Sequence, residues 1–160
     1  MDTIFAPWRI EYIMGERPDY CIFCEKSSRE RLVVYEGRTA FVMLNLYPYN
    51  CGHLMVIPFR HVGAMEELSA EEKIEMFDLL DLSVRVLKEA MGPDGFNIGM
   101  NLGRTAGAGI EDHIHFHAVP RWSGDTNFMS VMADVRVVPE DIIKTGERLL
   151  PYFKKYHREV

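Results

Sequence analysis

The chain has 160 residues, 48% apolar and 26% charged, with a formal net charge of −6. That length suits one domain with a proper core, and the composition is ordinary for a globular protein. Net negative charge without a basic run argues against nucleic acid as a partner, leaving room only for a local positive site for a small phosphate ligand. No apolar run approaches the ~18 residues of a membrane span, and the first nine residues lack the basic-then-apolar pattern of an export signal. The three cysteines are therefore expected to be reduced thiols, in a cytoplasmic protein with no membrane partner.

Residues 1–20 read as an irregular arm with aromatic anchors Phe5, Trp8 and Tyr12, followed by a Cys21-Ile22-Phe23-Cys24 turn. Residues 31–35 and 39–46 are strand-like and are split by Glu36-Gly37-Arg38, a hairpin signal. A turn-rich stretch leads to a third strand, 53–58. Ser69-Ala70-Glu71-Glu72 is a capping box opening a long helix, whose expected apolar stripe comprises Met76, Phe77, Leu80, Val84 and Leu87; Gly92-Pro93 ends it. Residues 96–101 form a fourth strand and 103–109 a glycine-rich loop. The stretch around 113–117 is the fifth strand, and 139–156 reads as a second helix, bent or interrupted at Pro151. A core at 21–125 and a carboxyl-terminal extension at 126–160 would make one domain. Short connections between most strands, with one long helix between the third and fourth, predict an α+β class built on a mainly antiparallel five-stranded sheet.

His113-Ile114-His115-Phe116-His117 carries three histidines at alternate positions. On a strand their rings share one face, spaced roughly 6.5 Å apart on what would be an open surface. The outer two lie about 13 Å apart, too far to share one zinc unless the strand buckles. Neighbours could share a metal, but three together suit an extended substrate. A strand-borne imidazole can attack phosphorus when one nitrogen binds a backbone carbonyl and the other keeps its lone pair. The preceding loop, with Arg104, Gly107, Ala108 and Gly109, could cradle phosphate with backbone N–H groups, although no P-loop lysine follows. Cys21-x-x-Cys24 is half of a zinc site by spacing; a redox couple or buried thiols are the alternatives, and His61 or one end of the histidine row could complete it. His53, taken alone, reads as a structural histidine.

His113-Ile114-His115-Phe116-His117-Ala118-Val119 resembles the motif of the histidine triad family, in which histidines alternate with apolar residues. Cys21-Ile22-Phe23-Cys24, the segment Gly52-His53-Leu54-Met55-Val56-Ile57-Pro58, Arg60-His61 and the strand ending at Asn101 follow the family's order over roughly residues 20–125. The resemblance implies that His115 is the nucleophile of a covalent nucleotidyl-histidine intermediate, with His117 and His53 as supporting catalytic histidines. It further implies that Asn45 binds ribose and Asn101 the α-phosphate, and that a structural zinc is held by Cys21, Cys24, His61 and His113, with no metal needed at the chemical step. Homodimers in which two sheets continue into one are implied as well. The family's Gly-Gln-Ser/Thr segment is missing here, so contacts to the distal phosphates fall to backbone N–H groups and Arg104. Pro7-Trp8-Arg9 and the segment from Pro120 to Phe128 are similar to the bacterial and archaeal branch of diadenosine tetraphosphate phosphorylases. The implied substrates are adenine nucleotides or dinucleotide polyphosphates, with inorganic phosphate or water as acceptor. A phosphoramidate hydrolase, or a nucleotide-binding module without catalysis, is the alternative.

Overall fold

The structure, a computed structural model, describes residues 20–125 and 140–157. Most of the amino-terminal arm, and residues 126–139 of the expected extension, lie outside the described residues. A four-residue helix α1 (Lys26–Arg29) precedes strands β1 (Val33–Glu36), β2 (Ala40–Leu44) and β3 (Leu54–Pro58), the long helix α2 (Ala70–Met91), β4 (Gly95–Met100), β5 (Phe116–Arg121) and α3 (Ile142–His157). The five strands form one sheet in the order β1-β2-β3-β5-β4, and every pairing is antiparallel. This is the α+β architecture expected from the sequence.

β2 and β3 are buried along their whole length and form the centre of the core. α2 packs on β2, β3 and β5, and α3 lies against α2 and β1. The capping box forms as read. Glu72 N–H donates to Ser69 Oγ, and Ser69 N–H donates to the Glu72 carboxylate. Gly92 caps the far end at φ 57°. Glu72 also receives Nε and Nη2 of Arg60, at 2.9 and 2.7 Å, which ties the segment after β3 to the helix start. The Arg60 guanidinium beside it pulls the Glu72 carboxyl down to about 2. Glu75 clamps the β1–β2 turn by accepting from the amides of Arg38 and Thr39 and from the Thr39 hydroxyl.

Two expectations need correction. Phe77, expected in the apolar stripe, is 61% exposed and meets Phe116 edge to face. Leu79, Leu82, Ser83 and Val86 are buried beside Met76, Leu80 and Leu87 instead, because α3 as well as the sheet covers α2 and widens its buried face. The fifth strand also starts later than expected, so His113 and His115 precede the ladder. The cause is Pro58, which would stand beside them on β3 and has no N–H to donate. Ile114 N–H turns instead to the Val62 carbonyl, 2.8 Å away. α3 runs on through Pro151. Its start is secured by Asp141, whose carboxylate accepts from the Ile143 and Lys144 amides.

Gly52 sets the turn into β3 at φ 76°, and a Cβ there would stand 2.9 Å from Met91 Sδ and 3.1 Å from both Leu87 Cδ2 and Pro120 Cγ. Gly52→Ala should therefore cost about 1–3 kcal/mol through backbone strain and overpacking. An unchanged urea midpoint would show that the turn relaxes freely.

Candidate active site

The histidine row is buried, not open as expected: His113, His115 and His117 are 0%, 5% and 9% exposed. Phe23 packs against the His113 and His115 rings, and Tyr49 against that of His117. His117 pairs with Met55 on β3 and Gly99 on β4. A Cβ at Gly99 would meet nothing within 4 Å, so the ground beside His117 on the β4 side is open.

Hydrogen-bond partners assign the tautomers. His115 Nδ1 lies 3.0 Å from the His113 carbonyl. A carbonyl only accepts, so Nδ1 carries the proton and Nε2 keeps its lone pair. No hydrogen bond occupies Nε2 among the described residues. The next two rings form a chain. Tyr49 N–H donates to His53 Nδ1 at 3.0 Å, which leaves the His53 proton on Nε2. His53 Nε2–H then donates to His117 Nδ1 at 2.9 Å, which leaves the His117 proton on Nε2. That last N–H is buried without a partner among the described residues. The His115 and His117 rings meet edge to face at 4.7 Å. The site thus holds a bare imidazole lone pair beside an unsatisfied N–H donor.

Burial keeps these rings neutral. It lowers His53 to about 3, helped by the neighbouring His117 and His115. It lowers His117 to about 4, helped by His115, and it lowers His115 as well.

A second cluster adjoins the first. Cys21, Cys24, His61 and His113 bring their donor atoms within 4.8 Å of one another. His113 Nε2 donates to the Pro58 carbonyl at 2.8 Å, so Nδ1 turns its lone pair on Cys21 and Cys24 Sγ, at 3.3 and 3.5 Å. His61 Nδ1 lies 3.4 Å from Cys24 Sγ. A tetrahedral zinc with Zn–S near 2.3 Å and Zn–N near 2.0–2.1 Å sets sulfur and nitrogen about 3.5 Å apart, so the four residues fit that ion. The Pro58 carbonyl, which orients the His113 ring through its other nitrogen, fits a metal ligand too.

The other expected residues are placed less tightly. Asn45 lies beside His53, its Nδ2 3.4 Å from Nδ1, while its Oδ1 accepts from Tyr47 N–H. Asn101 is half-buried just past β4. The glycine loop is exposed and differs from the expected cradle. The amides of Ala106 and Ala108 turn in to the Gly103 carbonyl and that of Gly107 to the Arg104 carbonyl, so they are not presented outward. Arg104 is mostly exposed, 4.0 Å from Glu111. The sequence reading missed Tyr49, which supplies the amide that starts the ring chain and stacks on His53 at 4.9 Å. It also missed the Pro58 carbonyl. A tyrosine four residues before a histidine in a turn was the only available signal.

Residues 26–124 match the HIT domain, and the chain belongs to that family. It is 44% identical, over 94% of its length and 83% of the relative's, to a Mycobacterium tuberculosis protein named AP-4-A phosphorylase. A Schizosaccharomyces pombe adenosine 5'-monophosphoramidase is 33% identical over 81% of this chain and 95% of its own. Among solved structures, a Zn-bound histidine triad family protein from Mycobacterium smegmatis superposes with a TM-score of 0.71 at 27% identity, covering 88% of this chain and 97% of that one.

Histidines lowered on folding stabilise the fold above the unfolded value near 6.5, and that contribution fades as pH falls toward 4 and below. Going from pH 7 to pH 5, His117 alone should remove on the order of 1 kcal/mol. Denaturant midpoints of wild type and His117→Gln should therefore converge across that window; parallel profiles would mean that His117 is not held neutral.

Proposed function

We propose that this chain is an enzyme that cleaves the phosphoanhydride of an adenine dinucleotide polyphosphate, of the diadenosine tetraphosphate kind, through a nucleotidyl-histidine intermediate. The observation that carries this reading is the His115 tautomer, with Nδ1–H on the His113 carbonyl and Nε2 without a partner among the described residues. The name of the Mycobacterium tuberculosis relative supports the substrate class.

His115 Nε2 attacks the α-phosphorus. The N–P bond forms as the P–O bond to the departing nucleoside polyphosphate breaks, and that group leaves as an anion. The imidazole turns cationic while Nδ1–H stays on its carbonyl, which stabilises the new charge. His117 Nε2–H supplies the hydrogen bond that phosphoryl oxygens lack in water-free surroundings, and His53 holds that ring in place. Asn45 takes the ribose hydroxyls and Asn101 the α-phosphate. Arg104, mostly exposed at the head of the glycine loop, serves the distal phosphates, because the amides of Ala106, Gly107 and Ala108 are bonded within the loop. An acceptor oxygen, from water or inorganic phosphate, then attacks phosphorus, and the N–P bonding pair returns to Nε2. Zinc held by Cys21, Cys24, His61 and His113 would be structural, tying the amino-terminal turn to the triad without entering the reaction.

β4 is a sheet edge on which Asn97, Ile98 and Gly99 are exposed. That open edge supports a homodimer in which the sheet would continue into a second copy, since unpaired edges invite pairing. Among the described residues no helix is long and apolar enough to cross a membrane. Reduced thiols at Cys21, Cys24 and Cys51 fit a reducing, cytoplasmic location. The 33% identity to a phosphoramidase favours adenosine phosphoramidates as a second substrate class.

His115→Asn should reduce turnover at least about a thousandfold while leaving adenosine monophosphate affinity within a few-fold. Retained turnover would rule His115 out as nucleophile. Product analysis decides the acceptor: adenosine diphosphate plus triphosphate formed only with added phosphate means phosphorolysis, whereas monophosphate plus triphosphate means hydrolysis. Prolonged chelation should lower the melting temperature, with activity declining in step with metal content. Immediate loss of activity with the fold intact would instead place the metal in the chemistry.

A further inference from the structure

Phe23 stands between the two thiols of the Cys21–Cys24 turn. The turn closes when the amides of Cys24 and Glu25 both donate to the Cys21 carbonyl at 3.0 Å. Its neighbours Ile22 and Cys24 are exposed, but Phe23 is only 2% exposed. Its ring meets His113 edge to face, centroids 5.5 Å apart and planes at 90°. It meets His115 at 5.0 Å and 65°. One phenyl group therefore braces a member of the metal cluster and the ring read as the nucleophile.

The bond from His115 Nδ1 to the His113 carbonyl fixes which nitrogen carries the proton. Rotation about that single pivot is limited only by packing, with His117 against one part of the ring at 4.7 Å, and in-line attack tolerates little swing. A lateral contact is needed, and Phe23 provides it. The flanking cysteines lie in the same hydrogen-bonded turn, so a displacement of the Phe23 backbone displaces them as well.

We propose that Phe23 is a positioning residue for the His115 imidazole, and that the Cys21–Cys24 turn conveys the state of the metal cluster to that imidazole through it. The proposal rests on the reading of His115 as nucleophile. In this view the two thiols do more than staple the fold, since their capture of a metal sets where the Phe23 ring lies.

The test uses Phe23→Leu and, should that variant fold poorly, Phe23→Met, beside wild type loaded with zinc and wild type stripped by chelation. Steady-state cleavage of diadenosine tetraphosphate should show kcat reduced at least about tenfold. KM and adenosine monophosphate affinity should stay within about twofold, as expected of a residue that acts through His115. Nitrogen-15 NMR of the imidazoles should show the single Nδ1–H form of His115 in zinc-loaded wild type. It should show a broadened or mixed signal in the variant and in the stripped protein. Unchanged kcat with an unchanged His115 signal would overturn the positioning role, as would a rise in KM alone, which would mark Phe23 as a nucleotide contact. A His115 signal indifferent to zinc would overturn the coupling. If zinc-loaded wild type cleaves no dinucleotide, the substrate reading fails, and the NMR comparison still decides the role of Phe23.

Discussion

One backbone carbonyl, that of His113, organises the site. It accepts the His115 Nδ1 proton at 3.0 Å, while the side chain of the same residue turns its lone pair on two thiols and its N–H on Pro58. Two chemistries are thereby joined within three residues. A shift of His113 disturbs the group of Cys21, Cys24 and His61 and the anchor of the His115 ring together. The rest of the fold holds that residue still. Arg60 and Glu72 moor the segment carrying His61 to the start of α2. Val62 receives the Ile114 amide, and Phe23 fills the space between the two rings.

The other half of the site depends on the turn between β2 and β3. Asn45, Tyr49 and His53 all lie in or next to it. It is braced from behind by the far end of the chain: Cys51 Sγ approaches Glu140 and Thr145, and Glu140 is held in turn by Arg148 at the chain's last helix. Asn50 reaches across to the Pro120 carbonyl and to Asp125, which also binds Arg121. The carboxyl-terminal helix is thus packed on the structure that carries the turn of Asn45, Tyr49 and His53, although it falls outside the matched family region.

The fold was largely legible in the sequence because its signals are local. Period-two alternation, Ser69 and Glu72 at cap spacing, and Gly92 each encode a few neighbouring dihedral angles. The metal cluster was half legible. Cys21 and Cys24 show their spacing, but the arrival of His61 and His113 depends on β3 and β5 lying side by side. Less could be read about exposure and about the loop. Alternation indicates which face a histidine takes, not what covers that face, and Phe23 and Tyr49 come from segments far away in sequence. Likewise, glycines at 103, 107 and 109 announce conformational freedom without saying where the amides point, and Ala106, Gly107 and Ala108 turn theirs inward.

The run of hydrogen bonds from Tyr49 through His53 to His117 has a polarity. It begins at a peptide amide, which gives a hydrogen and cannot take one, so every later link must point the same way. Reversing it would set two hydrogens against each other at Tyr49. The outermost atom is therefore locked as a giver of hydrogen. A visiting ammonium or hydroxyl donor finds nothing there to receive it, whereas an oxyanion does. The direction of one bond thus reserves that atom for an oxyanion, beside the lone pair on His115 Nε2.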